Sequence, residues 1–439
     1  MDRRIVSGMF TVGILTLAVN LAATGKELLV AHQFGTGDVL DALLIAILLP
    51  SFAINVVAGS FNTAFIPTFI HVHEQEGPAA AQRFLSNMTS LNSALFIAVS
   101  ILLALTASLT IPVLGSGFDA EKLALTRTLF FILIPILFIN GFSKIWTAVL
   151  NAKEHFALAA FSPAMIPLVA ILFLLFMGQV WGIYALAIGT VGGFGMEAGL
   201  LAWGLKRGGY SLRPRWHGWD PAMRRMIGQY LPVVAGALLM SSTTLIDQSM
   251  AAMLGPGSVS TLNYGNKIVA LVIGVGSISL STAIFPHFSR MAAMKDWEGL
   301  RKTLKTHISL VLLATVPLTA GLVYWSRPLI RVFFERGAFT STDTYLVSQV
   351  QSFYLLQIPF FFLGILIIRL ISSVRANTIL MQAAILNLVA KIVLNYLLMQ
   401  RFGAAGIALS TTFVYMLSLV FCTLMVYRRI PLLGWPWKS

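Results

Sequence analysis

The fold class of this chain follows from runs such as residues 157–177, which read ALAAFSPAMIPLVAILFLLFM and contain no charged side chain. A helix of about 20 apolar residues is long enough to cross the hydrocarbon core of a bilayer. The whole chain has the same character, because 57% of its 439 residues are hydrophobic and only 10% are charged. Average soluble domains are about 45–50% apolar and about 25% charged. These proportions exclude a soluble enzyme, a secreted disulfide scaffold and a disordered chain.

The sequence contains twelve such apolar runs, separated by polar residues or by glycine and proline. They cover residues 5–33, 39–70, 84–113, 123–150, 157–177, 182–205, 226–254, 260–289, 306–326, 345–374, 378–399 and 404–427. Backbone polar groups in lipid must be satisfied within the segment, which favours helices. We therefore predict an all-α polytopic membrane protein with about twelve transmembrane helices. The first run exceeds the apolar core of a signal peptide and is predicted to be an uncleaved span.

Lysine and arginine residues predict the orientation. With the N-terminus inside, the inner loops and tails hold nineteen of them and the outer loops, including Lys122, hold six. The positive-inside rule then places both termini in the cytoplasm. The net charge of +14 is therefore interpreted as a topology signal rather than as nucleic-acid binding. The basic segment 206–225 is also suited to contact with anionic lipid headgroups.

A weak internal repeat predicts two halves. Residues 30–39, VAHQFGTGDV, resemble residues 250–259, MAAMLGPGSV, at an offset of 220. An offset that spans six helices preserves their direction, so the halves should be related by a pseudo-twofold axis along the membrane normal. The predicted division is a six-helix lobe at 1–205, a basic cytoplasmic linker at 206–225 and a second six-helix lobe at 226–439. Two such lobes are typical of an alternating-access transporter.

Nine charged residues remain at membrane depth after those counted with the loops, including Arg127 near the outer end of the fourth span, are set aside. They are Lys26, Lys144, Lys267, Arg369, Lys391, Glu27, Asp41, Glu197 and Asp247. Each costs about 2.5–3.5 kcal/mol at the centre of a span unless it is paired or hydrated. We expect Arg369 and Glu197, near inner helix ends, to reach the surface by snorkelling. Asp41, at the outer start of the second span, fits either a capping role or a gating role.

Three of the lysines point to an anionic substrate. Lys26, Lys144 and Lys267 come from both predicted lobes and have no acidic neighbour three or four residues further on. Glu27 is expected to point about 100° away from Lys26, because consecutive helical residues differ by that angle. A cavity with an excess of lysine suits an anionic headgroup that carries an apolar tail. The alternative is that these lysines form structural ion pairs with acids from other helices.

No residue pattern predicts enzyme chemistry. The sequence has no phosphate-cradling Walker loop, no histidine or cysteine spacing typical of a metal site, and Cys422 as its single cysteine. We therefore expect a protein that is not an enzyme and has no cofactor and no metal.

Several motifs resemble the MurJ/MviN family of the multidrug/oligosaccharidyl-lipid/polysaccharide exporter superfamily. They are residues 27–42 (ELLVAHQFGTGDVLDA), 59–67 (GSFNTAFIP), 257–267 (GSVSTLNYGNK) and 333–340 (FFERGAFT). The resemblance implies a flippase that moves lipid II, the undecaprenyl-diphosphate-linked peptidoglycan precursor, from the cytoplasmic to the periplasmic leaflet of the bacterial inner membrane. It also implies that Lys26 and Lys267 occupy positions of cavity arginines, and that Asp41 matches an acid at the start of the second helix.

The chain departs from the family in several places. Lysine in place of arginine loses the bidentate fork that grips a diphosphate, and family members usually have fourteen helices. Asn20, Leu48, Ile54 and Gly59 stand where better-studied members carry charged residues. Other cargoes therefore stay open, such as an exopolysaccharide or O-antigen repeat unit. An H⁺- or Na⁺-coupled multidrug-type exporter, in which Glu27 and Asp247 would be protonated, and a non-transporting scaffold are further alternatives. The expected partners are a lipid-linked oligosaccharide diphosphate and anionic lipids, with the protein acting as a monomer.

The resemblance also bears on ion coupling. Some members of the family bind Na⁺ in the C-terminal half, at positions matched here by Asp247 and Asn387, but Lys391 replaces an acidic ligand. Asp247 is seven residues before the predicted span end at 254, and Lys391 is eight before 399. Both therefore lie about 10–12 Å from the outer surface. We predict an Asp247–Lys391 ion pair whose ammonium stands in for Na⁺; the alternative is that Lys391 snorkels outward alone.

Overall fold

A computed structural model describes residues 3–57 and 61–429, without the side chains of residues 3–11, 61–63, 229, 231, 232 and 429. Every regular element in these ranges is helical. The α-helices are α1 (Arg3–Phe34), α2 (Asp38–Val57), α3 (Phe61–Glu76), α4 (Pro78–Leu114), α5 (Ala120–Leu133), α6 (Pro135–Ala152), α7 (Phe156–Phe161), α8 (Met165–Trp181), α9 (Ile183–Arg207), α10 (Pro221–Ala252), α11 (Ser258–Ala293), α12 (Trp297–Tyr324), α13 (Ser326–Phe334), α14 (Ser341–Leu355), α15 (Gln357–Ser373), α16 (Thr378–Phe402) and α17 (Ala404–Arg429). A 3₁₀-helix, Ser162–Ala164, joins α7 to α8.

The number of membrane spans agrees with the sequence. Within the described ranges, twelve stretches are long and apolar enough to cross a membrane, which confirms the predicted count. One of these stretches combines α5 and α6, and the break between them falls at Pro135 because proline has no N–H to continue the helical hydrogen bonding. Of the predicted span 39–70, the structure describes α2, which ends at Val57, and α3, which begins at Phe61. Residues 58–60, which include Gly59, and the terminal residues 1–2 and 430–439 lie outside the described part.

The contacts divide the chain into two compact units. The first comprises Met1–Phe34 and Asp38–Ser241, and the second comprises Gly35–Gly37 and Ser242–Ser439. The boundary falls within α10, so the segment 206–225 and the start of that helix belong to the first unit. The division into six-helix lobes at 1–205 and 226–439, taken from the repeat, stays a prediction.

Glycine residues permit close packing between neighbouring helices in both units. In the first unit, a Cβ on Gly193 of α9 would lie 2.6 Å from the Cα of Ile166, so the backbones of α8 and α9 are almost in contact. In the second unit, Gly403 has φ +57° and makes the turn between α16 and α17. A Cβ on Gly406 would overlap the carbonyl oxygen of Leu398. Small residues allow this approach, and it brings the polar residues of α16 against those of α17.

Candidate functional site

A buried ion pair lies in the second unit. The Nζ atom of Lys391 in α16 is 3.0 Å from Oδ1 of Asp247 in α10, which confirms the predicted contact. Lys391 is only 2% exposed, so it does not snorkel to the surface. Its ammonium also donates to Oγ of Ser410 at 3.2 Å and to Oγ1 of Thr411. An ammonium has three N–H groups, and three oxygen atoms from two helices accept them here.

Asn395 completes this cluster, and the sequence reasoning missed it. Its Nδ2 atom donates to Oδ1 of Asp247 at 2.7 Å, and its own Oδ1 accepts from Ser410. We call Asp247, Lys391, Asn395, Ser410 and Thr411 the Lys391 cluster. Asn395 follows Lys391 by one helical turn, so the i, i+4 spacing was the available signal.

Asn387, the amide indicated by the resemblance, makes a hydrogen bond outside the Lys391 cluster. It precedes Lys391 by one turn, and its Nδ2 atom donates to Oγ of Ser418 at 3.0 Å. Its Oδ1 atom is buried and has no hydrogen-bond partner within the described part of the chain. A role for Asn387 in ion coupling stays a prediction.

In the first unit, Lys26 and Glu27 form a contact that the sequence analysis did not expect. Nζ of Lys26 lies 2.9 Å from Oε1 of Glu27, and both side chains are partly buried, with 27% and 22% exposed. The expectation that Glu27 points away from Lys26 is therefore wrong. The Cβ directions of consecutive residues diverge by about 100°, but both side chains are long enough to bend toward each other.

Asp41 belongs to a second buried charge cluster. Lys122, in the first turn of α5, is 2.5 Å from Oδ1 of Asp38 and 3.2 Å from Oδ2 of Asp41. Asp41 is fully buried and Lys122 is 7% exposed, with its ammonium 3.8 Å from the ring centroid of Phe118. The assignment of Lys122 to a loop is wrong, because it lies in α5 and the packing of α5 on α2 buries it; its position on the outer side stays a prediction. Asp41 is at the start of α2 and is paired with a cation, and its gating role stays a prediction.

The expected snorkelling of Glu197 is also wrong. Glu197 in α9 is 6% exposed, and Lys144 in α6 is the cation whose charge acts on it. A glutamate side chain is too short to reach the surface from ten residues inside its helix. Arg369 bonds within the second unit, where its guanidinium donates to Oγ of Ser281 at 3.0 and 3.2 Å.

The three proposed substrate-binding lysines are distributed over both units. Lys26 in α1 and Lys144 in α6 belong to the first unit, and Lys267 in α11 belongs to the second. All three are partly exposed. Because Lys26 and Lys144 have acidic neighbours, structural pairing and substrate binding are both compatible with their positions.

Comparison with known proteins identifies the family. The family model for "Lipid II flippase MurJ" matches residues 30–437. A "Probable lipid II flippase MurJ" from Synechocystis sp. is 27% identical over 95% of this chain and 81% of its own length. The protein of that name from Vibrio cholerae is 25% identical over 99% of this chain and 84% of its own length.

Solved structures share the fold. A structure of lipid II flippase MurJ in an inward closed conformation has a TM-score of 0.79 at 24% identity, covering 94% of this chain and 87% of that one. An inward-facing multidrug resistance transporter of the MATE family, in the MOP superfamily, has a TM-score of 0.77 at 13% identity, covering 97% and 99%. With twelve candidate spans in its described residues, the chain is a multi-pass protein of the bacterial inner membrane and belongs to the MurJ family of lipid II flippases.

Proposed function

We propose that this protein moves an undecaprenyl-diphosphate-linked saccharide, with lipid II as the default cargo, from the cytoplasmic to the periplasmic leaflet by alternating access. The match to the lipid II flippase family over residues 30–437 is the observation that carries the proposal. The proposal includes cytoplasmic termini, action as a monomer and contact of the basic segment 206–225 with anionic lipids. The excess of lysine and arginine in the predicted inner loops supports this orientation.

We propose that Lys26, Lys144 and Lys267 bind the diphosphate. Each of these residues is partly exposed, so none of them is enclosed completely by the helix packing. Glu27 pairs with Lys26 when no substrate is present, which lowers the cost of holding that cation within the membrane. A diphosphate that displaces the Glu27 carboxylate would bind more strongly than the carboxylate does, because it carries more negative charge.

A transport assay tests the lysines. Lys26→Ala and Lys267→Ala should each slow the appearance of lipid-linked sugar in the outer leaflet, while the purified variants insert and fold normally. Lys26→Arg and Lys267→Arg should remain active, because arginine keeps the charge and adds a bidentate fork. Lys302→Ala, which removes an exposed lysine on α12, is the matched control. Full activity in the double alanine variant would refute the substrate site.

Depletion of the protein in cells distinguishes the cargo. Loss of outer-leaflet lipid II indicates the peptidoglycan precursor, and loss of another lipid-linked repeat unit indicates an exopolysaccharide or O-antigen flippase. Increased drug sensitivity with unchanged lipid-linked sugars would contradict the proposal and favour a multidrug-type exporter.

We propose further that Lys391 removes Na⁺ dependence from the second unit. The oxygen atoms of Asp247, Ser410 and Thr411 surround the ammonium as ligands would surround a cation. Because the Lys391 ammonium is covalently attached to the chain, it occupies this position permanently and excludes a Na⁺ ion from it.

A further inference from the structure

The segment between α9 and α10 has no regular secondary structure from Tyr210 to Asp220, yet side chains of α4 hold its backbone. Gln82 exchanges two hydrogen bonds with the backbone of Ser211, donating to its carbonyl at 2.9 Å and accepting from its N–H at 3.1 Å. Ser86 accepts from the N–H of Arg215 at 2.8 Å, and its hydroxyl lies within bonding distance of the carbonyls of Arg213 and Arg215. These bonds fix an irregular segment that could otherwise move freely.

The far end of the segment is held in the same way. Asn87 accepts from the N–H of His217 at 2.7 Å and donates to the carbonyl of Gly218 at 3.1 Å. Tyr210 and Leu212 pack against the apolar core of the first unit, and burial raises the pKa of the Tyr210 phenol. The segment is therefore attached along its length through its backbone and through two apolar side chains.

The side chains that are not used for this attachment are basic and aromatic. Arg213 and Arg215 are exposed, as are Trp216 and Trp219, at 48% and 58%. The two indole rings meet edge to face, with centroids 5.5 Å apart. We call these four residues the linker surface.

The charge of the segment is strongly positive. Residues 206–225 contain six lysines and arginines and one acid, Asp220. The Asp220 carboxylate is already used, since it accepts from the N–H of Met223 at 2.7 Å and from Asn87 at 3.3 Å. The arginines of the linker surface have no acidic partner within ion-pair distance among the described residues.

The position along α4 places the linker surface beside the lipid headgroups. α4 has 37 residues and is about 55 Å long, whereas the hydrocarbon core is about 30 Å thick. Its uncharged, mostly apolar part, residues 94–114, is long enough to cross that core. Asn87 is seven residues before this part, which is about 10 Å along the helix axis. Tryptophan and arginine are typical of this interfacial layer.

We propose that the linker surface is a binding site for anionic phospholipid headgroups, with Arg213 and Arg215 contacting the phosphate and Trp216 and Trp219 at the membrane interface. This inference deepens the proposed contact with anionic lipids and does not depend on the cargo. Charge complementarity favours an anionic lipid. The rigid backbone lowers the entropy cost of binding, because the side chains are already presented on a fixed segment.

A lipid titration tests the site without any transport measurement. The full-length protein in a neutral detergent is titrated with dioleoylphosphatidylglycerol or dioleoylphosphatidylcholine, and thermal stabilisation is followed as a function of lipid concentration. Phosphatidylglycerol should stabilise the wild-type protein at lower concentrations than phosphatidylcholine. Arg213→Ala combined with Arg215→Ala should weaken the apparent affinity for phosphatidylglycerol roughly 30-fold, since each basic residue contributes about 1 kcal/mol at an anionic surface.

A matched control tests whether the affinity depends on where the two positive charges lie or only on the net charge of the protein. Arg290→Ala combined with Lys302→Ala removes the same charge from two exposed residues of the second unit and should leave the affinity within about twofold. An equal loss in the control would overturn the proposal, because the attraction would then be a property of net charge. Equal affinity for the two lipids, or wild-type affinity in the Arg213/Arg215 variant, would also overturn it.

A second readout remains informative if the arginine variant folds poorly. Phosphatidylglycerol should shift the tryptophan emission of the wild-type protein to shorter wavelength, because interfacial indoles become less hydrated. Trp216→Phe combined with Trp219→Phe should remove most of that shift. An unchanged shift in the phenylalanine variant would contradict placement of these indoles at the lipid.

Discussion

Replacing Lys391 by alanine should strongly destabilise the second unit. The substitution leaves the Asp247 carboxylate, whose side chain is 15% exposed, with Asn395 at 2.7 Å but without the ammonium at 3.0 Å. Removing one partner of a buried ion pair costs about 3–5 kcal/mol, because the remaining charge is stranded. The hydroxyl groups of Ser410 and Thr411 also lose their donor.

The expected change is large enough to measure by thermal unfolding. A destabilisation of 1 kcal/mol lowers Tm by about 2–4 °C for a unit of about 200 residues, so Lys391→Ala should lower Tm by about 6–20 °C. The purified protein in detergent, followed by intrinsic fluorescence during heating, provides the measurement. Lys302→Ala on α12 is the exposed control and should change stability by less than about 0.5 kcal/mol.

A double variant distinguishes a stranded charge from lost packing. Asp247→Asn combined with Lys391→Met removes both charges and keeps similar side-chain volumes, so it should recover most of the lost stability. The reasoning would be refuted if Lys391→Ala unfolded within 2 °C of the wild-type protein. It would also be refuted if the double variant were no more stable than Lys391→Ala, since the stranded carboxylate would then carry no cost.

Three further substitutions test other contacts. Lys391→Asp should create Na⁺-dependent stabilisation, seen as a higher Tm in NaCl than in choline chloride; equal values would contradict the cation-replacement proposal. Lys122→Met removes the ammonium that pairs with the fully buried Asp41 and should lower Tm by several degrees. A loss of about 1 kcal/mol or less, as for a surface ion pair, would argue against a buried cluster. Gly35→Ala would place a Cβ against a backbone carbonyl oxygen at φ +56°, whereas Gly77→Ala, at φ +87°, meets open space. The first variant should therefore be clearly less stable than the second in the same unfolding assay, and equal stabilities would contradict the close approach.

The sequence predicted one of the buried ion pairs because depth can be counted along a helix. Asp247 and Lys391 are at similar distances from the outer ends of their spans, and the structure brings them to 3.0 Å. Asn395 could not be chosen in the same way. It and Asn387 are each one turn from Lys391, and only the packing of α16 against α10 and α17 selects Asn395.

Lys122 and Glu197 show a second limit of predicting the environment of a charged residue from the sequence. Hydropathy assigned Lys122 to a loop because polar residues flank it, although contact of α5 with α2 buries it beside Asp41. Glu197 was assigned to a helix end, although it is 6% exposed. In both cases the neighbouring helix, which is distant in sequence, determines the environment of the charge.

The sequence by itself determined that this protein is a helical membrane protein, and it predicted the twelve spans found in the described residues, because burial in lipid depends on the local composition of each segment. Motifs distributed along the chain also indicated its family. Only the tertiary structure decided which intramembrane charges are paired, which amide joins the Lys391 cluster and how α4 holds the linker surface. These contacts depend on the rotation and approach of helices far apart in the chain, and the residue pattern within one helix does not record them.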